Sequence, residues 1–258
     1  MKNKLLFCCL LLALPTLAFA TEAPSSVLAR SNQMIVVTTA DWNAVSGRLQ
    51  RYQRLSPGAA WRTVGGPVTI VVGNRGMGWG IGAVPIAAVR RSEDPVKREG
   101  DRKSPAGIFR FGTSFGYAPH KPADWKMPYL PLTPNIDCVD DSNSRYYNRI
   151  VDRSTITPDW NSSEHMRLAG TAYTWGIVID QNAVHPHPGD GSCIFMHIWA
   201  GPGIGTIGCT AMPEPQVKQI LGWLNPAAHP LLVQMPLQSY RELEKLYRLP
   251  RPPLPPQS

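Results

Sequence analysis

Beyond its opening residues the chain has no apolar run approaching the roughly 20 residues a helix needs to span a bilayer. An integral membrane segment is therefore not expected in the mature protein. There is no internal repeat, and no run of Lys and Arg interleaved with aromatic residues, the footprint of a nucleic-acid binder. Cysteine is scarce: five in 258 residues, with Cys8 and Cys9 in the apolar opening and no lipobox before either.

That opening has the form of a secretory signal. Lys2 and Lys4 precede the apolar run Leu5 to Leu14, Pro15 breaks it, and Ala18-Phe19-Ala20 is a small-residue cleavage site. Residues 1–20 are expected to be removed, leaving a periplasmic or otherwise exported protein that starts near Thr21. Loss of Lys2 and Lys4 lowers the formal net charge from +8 to +6. A basic exported protein is suited to anionic cell-wall polymers or acidic peptides, although such a charge also serves solubility alone.

Three cysteines then remain, Cys138, Cys193 and Cys209, and an odd number in an exported protein leaves a free thiol or an intermolecular bond. The simplest assignment pairs Cys138 with Cys193, closing a loop of 55 residues. On the chain-entropy view this stabilises the fold by up to roughly 4 kcal/mol. Cys209 stays free, and a free thiol in an oxidising compartment is most often a nucleophile.

Short β-rich segments with turn signals between them predict a mainly β domain. Strands are expected at Met34 to Thr39, Val68 to Val72, Val84 to Val89, Ile108 to Phe111, Tyr173 to Asp180, Cys193 to Trp199 and Leu231 to Gln234. Asp41 is a good N-cap and predicts an amphipathic helix over Trp42 to Leu55. Further helices are expected at Glu214 to Leu224, after Pro213, and at Ser239 to Leu249. Phe115 to Pro134 reads as a long surface loop and residues 250–258 as a Pro-rich disordered tail. The division expected is a strand-and-helix segment over 21–66, a catalytic domain over 67–236, and a helix with its tail over 237–258.

The chemistry concentrates between His197 and Cys209, 12 residues apart. A thiol attacks a carbonyl as the thiolate, and a nearby imidazole can take its proton. Gly201-Pro202-Gly203-Ile204-Gly205 can reverse the chain between them, and Gly208 allows close approach of backbone to substrate. The N–H groups of Gly208 and Cys209 are candidates for an oxyanion hole, with Thr206 and Thr210 as flanking candidates for the same site. The order His-then-Cys excludes papain-like enzymes, and the caspase signature is absent. A rival set, His185, His187, Cys193 and His197, offers zinc-type ligands within 13 residues, but His185-Pro186-His187-Pro188 reads as a surface turn. Asp140-Asp141, followed by Ser142-Asn143-Ser144, reads as a turn rather than a catalytic carboxylate pair. Tyr146, Tyr147 and Asn148 are candidates for a groove wall or for ordinary packing.

Thr206-Ile207-Gly208-Cys209 with His197 upstream resembles the active-site signature of the L,D-transpeptidase catalytic domain family, in which a His is followed by Ser/Thr-His-Gly-Cys. Gly100-Asp101-Arg102-Lys103-Ser104-Pro105-Ala106-Gly107-Ile108-Phe109 resembles the family's Thr/Ser-Pro-x-Gly stretch. The two matches span about Val68 to Met235. The resemblance implies a sandwich-like β catalytic domain and a cysteine acyl-enzyme formed on peptidoglycan stem peptides. The acceptor would be an amine, on another stem or a protein, and the biological role cell wall biogenesis and cell shape. No cofactor or metal is implied. Two departures stand out: Ile207 replaces the family's second histidine, so His197 must serve alone, and Ala211 replaces its Arg or Asn. An L,D-carboxypeptidase or cross-link-cleaving hydrolase on the same fold, or a non-catalytic wall-binding module, are the alternatives.

Overall fold

Met34 to Val37 is an unbroken apolar run, too short for a buried helix and right for a strand covered on both faces. It forms the middle of β1 (Gln33–Thr39), every residue of which is buried. The computed structural model describes residues 24–256 apart from Ala88; the proposed signal segment lies outside the described residues. β1 runs parallel to β13 (Leu231–Pro236) on one side and antiparallel to β2 (Ser46–Gln53) on the other. Pairing continues outward from β2 through β3 (Arg62–Val71) to β12 (Thr210–Met212), β11 (Phe195–Ile198) and β10 (Trp175–Ile179).

On the other side β13 pairs with β5 (Ser104–Gly116), whose 13 residues are enough to serve two neighbours. Residues 107–110 of β5 meet β13, and residues 111–116 meet β10, so the pairing comes back to where it began. Such closure satisfies backbone groups that an open edge would expose. The short β4 (Met77–Trp79) and β6 (Tyr129–Pro131) attach to β5. A separate three-stranded sheet places β7 (Ile136–Val139) between β8 (Ile150–Asp152) and β9 (Ser163–His165), both antiparallel. The molecule is mainly β, as the sequence predicts.

Among the described residues three α-helices accompany the sheets: α1 (Pro24–Arg30), α2 (Glu214–Trp223) and α3 (Leu237–Tyr247). On α2, Val217, Ile220 and Leu221 are buried at the spacing of one helical face, behind β10 and β11. The strand that carries His197 is thereby backed by a helix. None of the helices is long and apolar enough to cross a membrane, among the described residues.

Four expectations change. Trp42 to Leu55 is not a helix: Ser46–Gln53 is strand β2. The Asp41 signal is real but local, since its Oδ1 accepts the N–H groups of Asn43 (2.7 Å) and Ala44 (2.9 Å) in a turn. The described residues of Val84 to Val89 form no strand; Val84 and Ile86 reach the core from irregular backbone around Pro85. Phe115 to Pro134 is not wholly a surface loop, because Phe115, Trp125, Met127 and Leu132 are buried. The Pro-rich end is held rather than free through Pro253: the carbonyls of Pro250, Arg251 and Pro253 accept the hydroxyls of Tyr240, Tyr52 and Thr38. Proline lacks a donor but keeps its acceptor. β1 and β2, from the segment 21–66, are interior strands of the large sheet.

Candidate active site

His197 and Cys209 come together because β11 and β12 are parallel neighbours. His197 is opposite Ala211 across that pair, and Cys209 lies one residue before β12 begins. Parallel strands need a crossover, and the Gly-rich segment 201–205 supplies it. Two backbone bonds of Thr206 fix its far end: Asn74 N–H donates to Thr206 O (2.7 Å) and Thr206 N–H donates to Val72 O (2.9 Å).

The turn before the cysteine is built by hydroxyls. Thr206 Oγ1 donates to the Cys209 carbonyl (2.6 Å) and accepts the Gly208 N–H (3.1 Å). Ser104 Oγ, buried at the start of β5, donates to the carbonyls of Gly208 (2.7 Å) and Cys209 (3.0 Å) and accepts the Gly73 N–H (2.9 Å). Gly208 adopts φ +153°, a conformation that favours glycine. The two sequence motifs thus meet through Ser104. Of the expected oxyanion donors, the Gly208 N–H is occupied by Thr206, whereas the Cys209 N–H has no protein acceptor among the described residues. Thr210 does not face the site: its hydroxyl donates to Gln234 Oε1 (2.6 Å) in the core of the large sheet, on the face opposite its neighbour.

The Cys209 sulfur is free and buried. It accepts the Phe195 N–H at 3.3 Å and lies 3.7 Å from the Cys193 carbonyl. Burial, and next the charge of Glu164, push its thiol up to about 12, against partial relief from the Phe195 N–H, Lys97 and Tyr173. The His197 Nδ1 is 2.8 Å from the Ile198 carbonyl; a carbonyl only accepts, so Nδ1 carries the proton and Nε2 keeps its lone pair. Burial holds this imidazole down to about 4. The resting pair is therefore thiol and neutral imidazole. The two are not hydrogen-bonded to each other; both line one cavity of about 240 Å³ together with Glu164, Tyr173 and Trp199. Ile204 and Ile207, both exposed, form its apolar rim.

Tyr173 was not signalled by the sequence. Its ring packs edge-on against His197 (5.3 Å), Phe195 (5.5 Å) and Phe115 (5.3 Å), and its hydroxyl bonds Glu164 and reaches the Cys209 sulfur. Burial and the neighbouring Cys209 and Glu164 hold its hydroxyl well above the usual phenol range. Glu164 itself, on β9, is raised to about 7 by burial, with Asp140 contributing to the rise and the Tyr173 hydrogen bond opposing it.

Cys138 and Cys193 are bonded, with Cα atoms 5.9 Å apart. This joins β7 of the small sheet to the segment leading into β11. It also removes Cys193 from the rival zinc set, while His185 and His187 lie exposed on their turn. Asp140 and Asp141 shape a turn: Asp141 accepts the N–H groups of Asn143 (2.9 Å) and Asn161 (2.7 Å). Asn148 Oδ1 accepts the Cys193 N–H (3.0 Å), and the Tyr147 hydroxyl donates to Glu99 (2.6 Å), so both pack the site from behind. No family model, curated protein or solved structure matches the chain.

Proposed function

We propose that this protein is an exported cysteine acyltransferase of the L,D-transpeptidase type, acting on peptidoglycan stem peptides. The observation that carries the reading is the cavity itself: one free thiol and one imidazole with its Nε2 open, on shared walls, beside an unused backbone N–H. The disulfide fits an oxidising compartment, in keeping with export.

In this reading substrate enters the cavity and brings its carbonyl to the sulfur. A neutral thiol held up to about 12 does not ionise on its own near pH 7, so its proton passes to His197 Nε2 as the carbon–sulfur bond forms. The Ile198 carbonyl then steadies the imidazolium through Nδ1–H, the part a carboxylate plays in other triads. The Cys209 N–H faces the developing oxyanion, and Thr206 and Ser104 position that turn rather than touch substrate. His197 returns the proton to the leaving amine, giving a thioester on Cys209. An incoming amine displaces the thioester, regenerating the thiol.

The test supplies a donor tetrapeptide and a rising concentration of acceptor stem, and weighs enzyme and products. A thioester adduct on Cys209 and cross-linked product are expected, with neither formed by Cys209→Ala. Shortened tripeptide dominating at saturating acceptor replaces transfer by hydrolysis. No adduct with a proven free thiol ends the enzymatic reading.

A further inference from the structure

Cys209 stands between two cavities rather than at the end of one. The first is the cavity of about 240 Å³ that holds His197. The second, of about 420 Å³, is lined by Lys97, Glu99, Arg102, Asp140, Ser192 and Cys193 among others. Glu164, Ile207 and Cys209 line both. Acyl transfer needs two substrates at one sulfur, and it needs the second as a free amine, whereas an alkyl amine in water is an ammonium ion. His197 cannot prepare it alone, because its single open nitrogen is also the acceptor for the last proton of the attack.

Glu164 is built for that task. Its Oε1 is fixed by the Tyr173 hydroxyl, and its other oxygen takes no hydrogen bond from the protein among the described residues. Its strand position is opposite Cys138, whose disulfide to Cys193 anchors β7 to the segment beneath the sulfur. Two of the nearby cations have other partners, while Arg102, exposed, lines the second cavity with Glu164. Lys97 is bonded to Asp101 (2.6 Å) and to the Arg98 carbonyl, and Arg153 lies with Asp137 and His165. Asp140 adds negative charge beside it, and Tyr117 and Tyr173 approach from the neighbouring turns.

We infer that Glu164 is a catalytic residue of the second half-reaction: it binds the acceptor ammonium between the two cavities and takes its first proton. The inference rests on the acyl-transfer reading above. The ammonium gives one proton to the Glu164 carboxylate. The resulting amine adds to the thioester carbonyl and gives a second proton to His197 Nε2; the carbon–sulfur bond breaks, leaving the new amide and a thiolate beside imidazolium. His197 reprotonates the sulfur, and Glu164 releases its proton to solvent. A carboxyl group raised to about 7 has the basicity for this exchange near neutral pH.

The experiment loads Cys209 with a donor tetrapeptide and follows loss of the thioester by intact mass, in wild type and in Glu164→Gln. Two acceptors are compared: a lysine-type ammonium, and hydroxylamine, which is largely unprotonated at neutral pH. The variant's thioester is expected to survive at least tenfold longer with the ammonium, and no more than about twofold longer with hydroxylamine. Should the variant fail to fold, the wild-type rate against pH serves instead. Turnover by the ammonium then rises and levels off just above pH 7, while turnover by hydroxylamine shows no such limb; a rate with the ammonium still climbing toward about pH 10 reports deprotonation in bulk water and overturns the assignment. Equal losses with both acceptors, no loss with either, or matching pH profiles overturn the assignment while leaving acyl transfer intact. Absence of any thioester in wild type overturns both.

Discussion

The large sheet and the small sheet are held together by different forces. The large one encloses side chains such as Met34, Ile35, Phe109 and Leu232, all fully buried, and gains its stability from apolar area removed from water. The small one has four residues in its central strand, and Asp137, at 1 % exposure, sits among them. Asp137 is matched there by Arg153 Nη1 (3.2 Å), His165 Nδ1 (2.8 Å) and Ser163 Oγ (3.0 Å), and one residue on Cys138 ties the strand covalently. A three-stranded sheet is too small to supply much core of its own. Cross-link and charge make up the difference, and they do so in the unit that carries Glu164 over the thiol.

Truncating the large sheet is expected to have the greatest effect. Phe109→Ala should lower unfolding free energy by about 4 kcal/mol, with strands of both sheets losing hydrogen-exchange protection together. Opening the disulfide by changing Cys138 and Cys193 to Ser should lower it by about 3 kcal/mol. Here exchange should rise first in residues 136–165 while β1 and β13 stay protected; uniform loss would mean that the two sheets unfold as one unit. Asp137→Asn should lower it by about 2 kcal/mol, within the small sheet, because Arg153 loses its buried counter-charge.

The smallest effect concerns pH and sets one group of each sheet against the other. Glu164 holds its proton up to about pH 7 when folded and releases it near 4.5 when unfolded, so stability falls as pH rises through that window. His197 resists protonation down to about 4 when folded, against 6.5 unfolded, so its contribution rises with pH between those values. Wild type should therefore show a shallow profile. Glu164→Gln should leave a net rise of about 2 kcal/mol from pH 4.5 to 7, and His197→Gln a net fall of similar size, both read from urea unfolding at fixed pH.

What the sequence disclosed follows the same line. The β-branched run at 34–39, the apolar run at 231–234 and the face of α2 state their burial locally, and the structure places them where that pattern requires. Residues 46–53 do not: Arg48, Gln50 and Arg51 interrupt any strand pattern, and it is pairing with β1 and β3, distant in sequence, that makes them extended. At the site, the free thiol and the Cys138–Cys193 bond were legible because cysteine number carries them, and His197, marked by its spacing, lines the same cavity as that thiol. Ser104 was visible as part of a motif without its role, since its contacts are with residues 104 and 105 positions away. Tyr173 and Glu164 gave no local sign at all. Their meaning depends on a short sheet folded across the mouth of another, and a lone Glu within Ser-Ser-Glu-His looks like any surface acid. Thr210 misled for the opposite reason: adjacency to Cys209 suggested a shared face, and alternation along the strand turns it inward.

The three cysteines also set a problem of bond choice while the chain is still unfolded. Cys193 must join Cys138, 55 residues back, although Cys209 is only 16 residues ahead and the two lie close in the finished fold. Loop-closure entropy favours the nearer partner by roughly 1 kcal/mol, about a sixfold preference for the pairing that would consume the free thiol. Maturation therefore depends on reshuffling: a mispaired chain has to be reopened by another thiol before the small sheet can be fastened down. Preparations oxidised without an isomerase should hold a mispaired isomer of identical mass, told apart by which cysteine remains free.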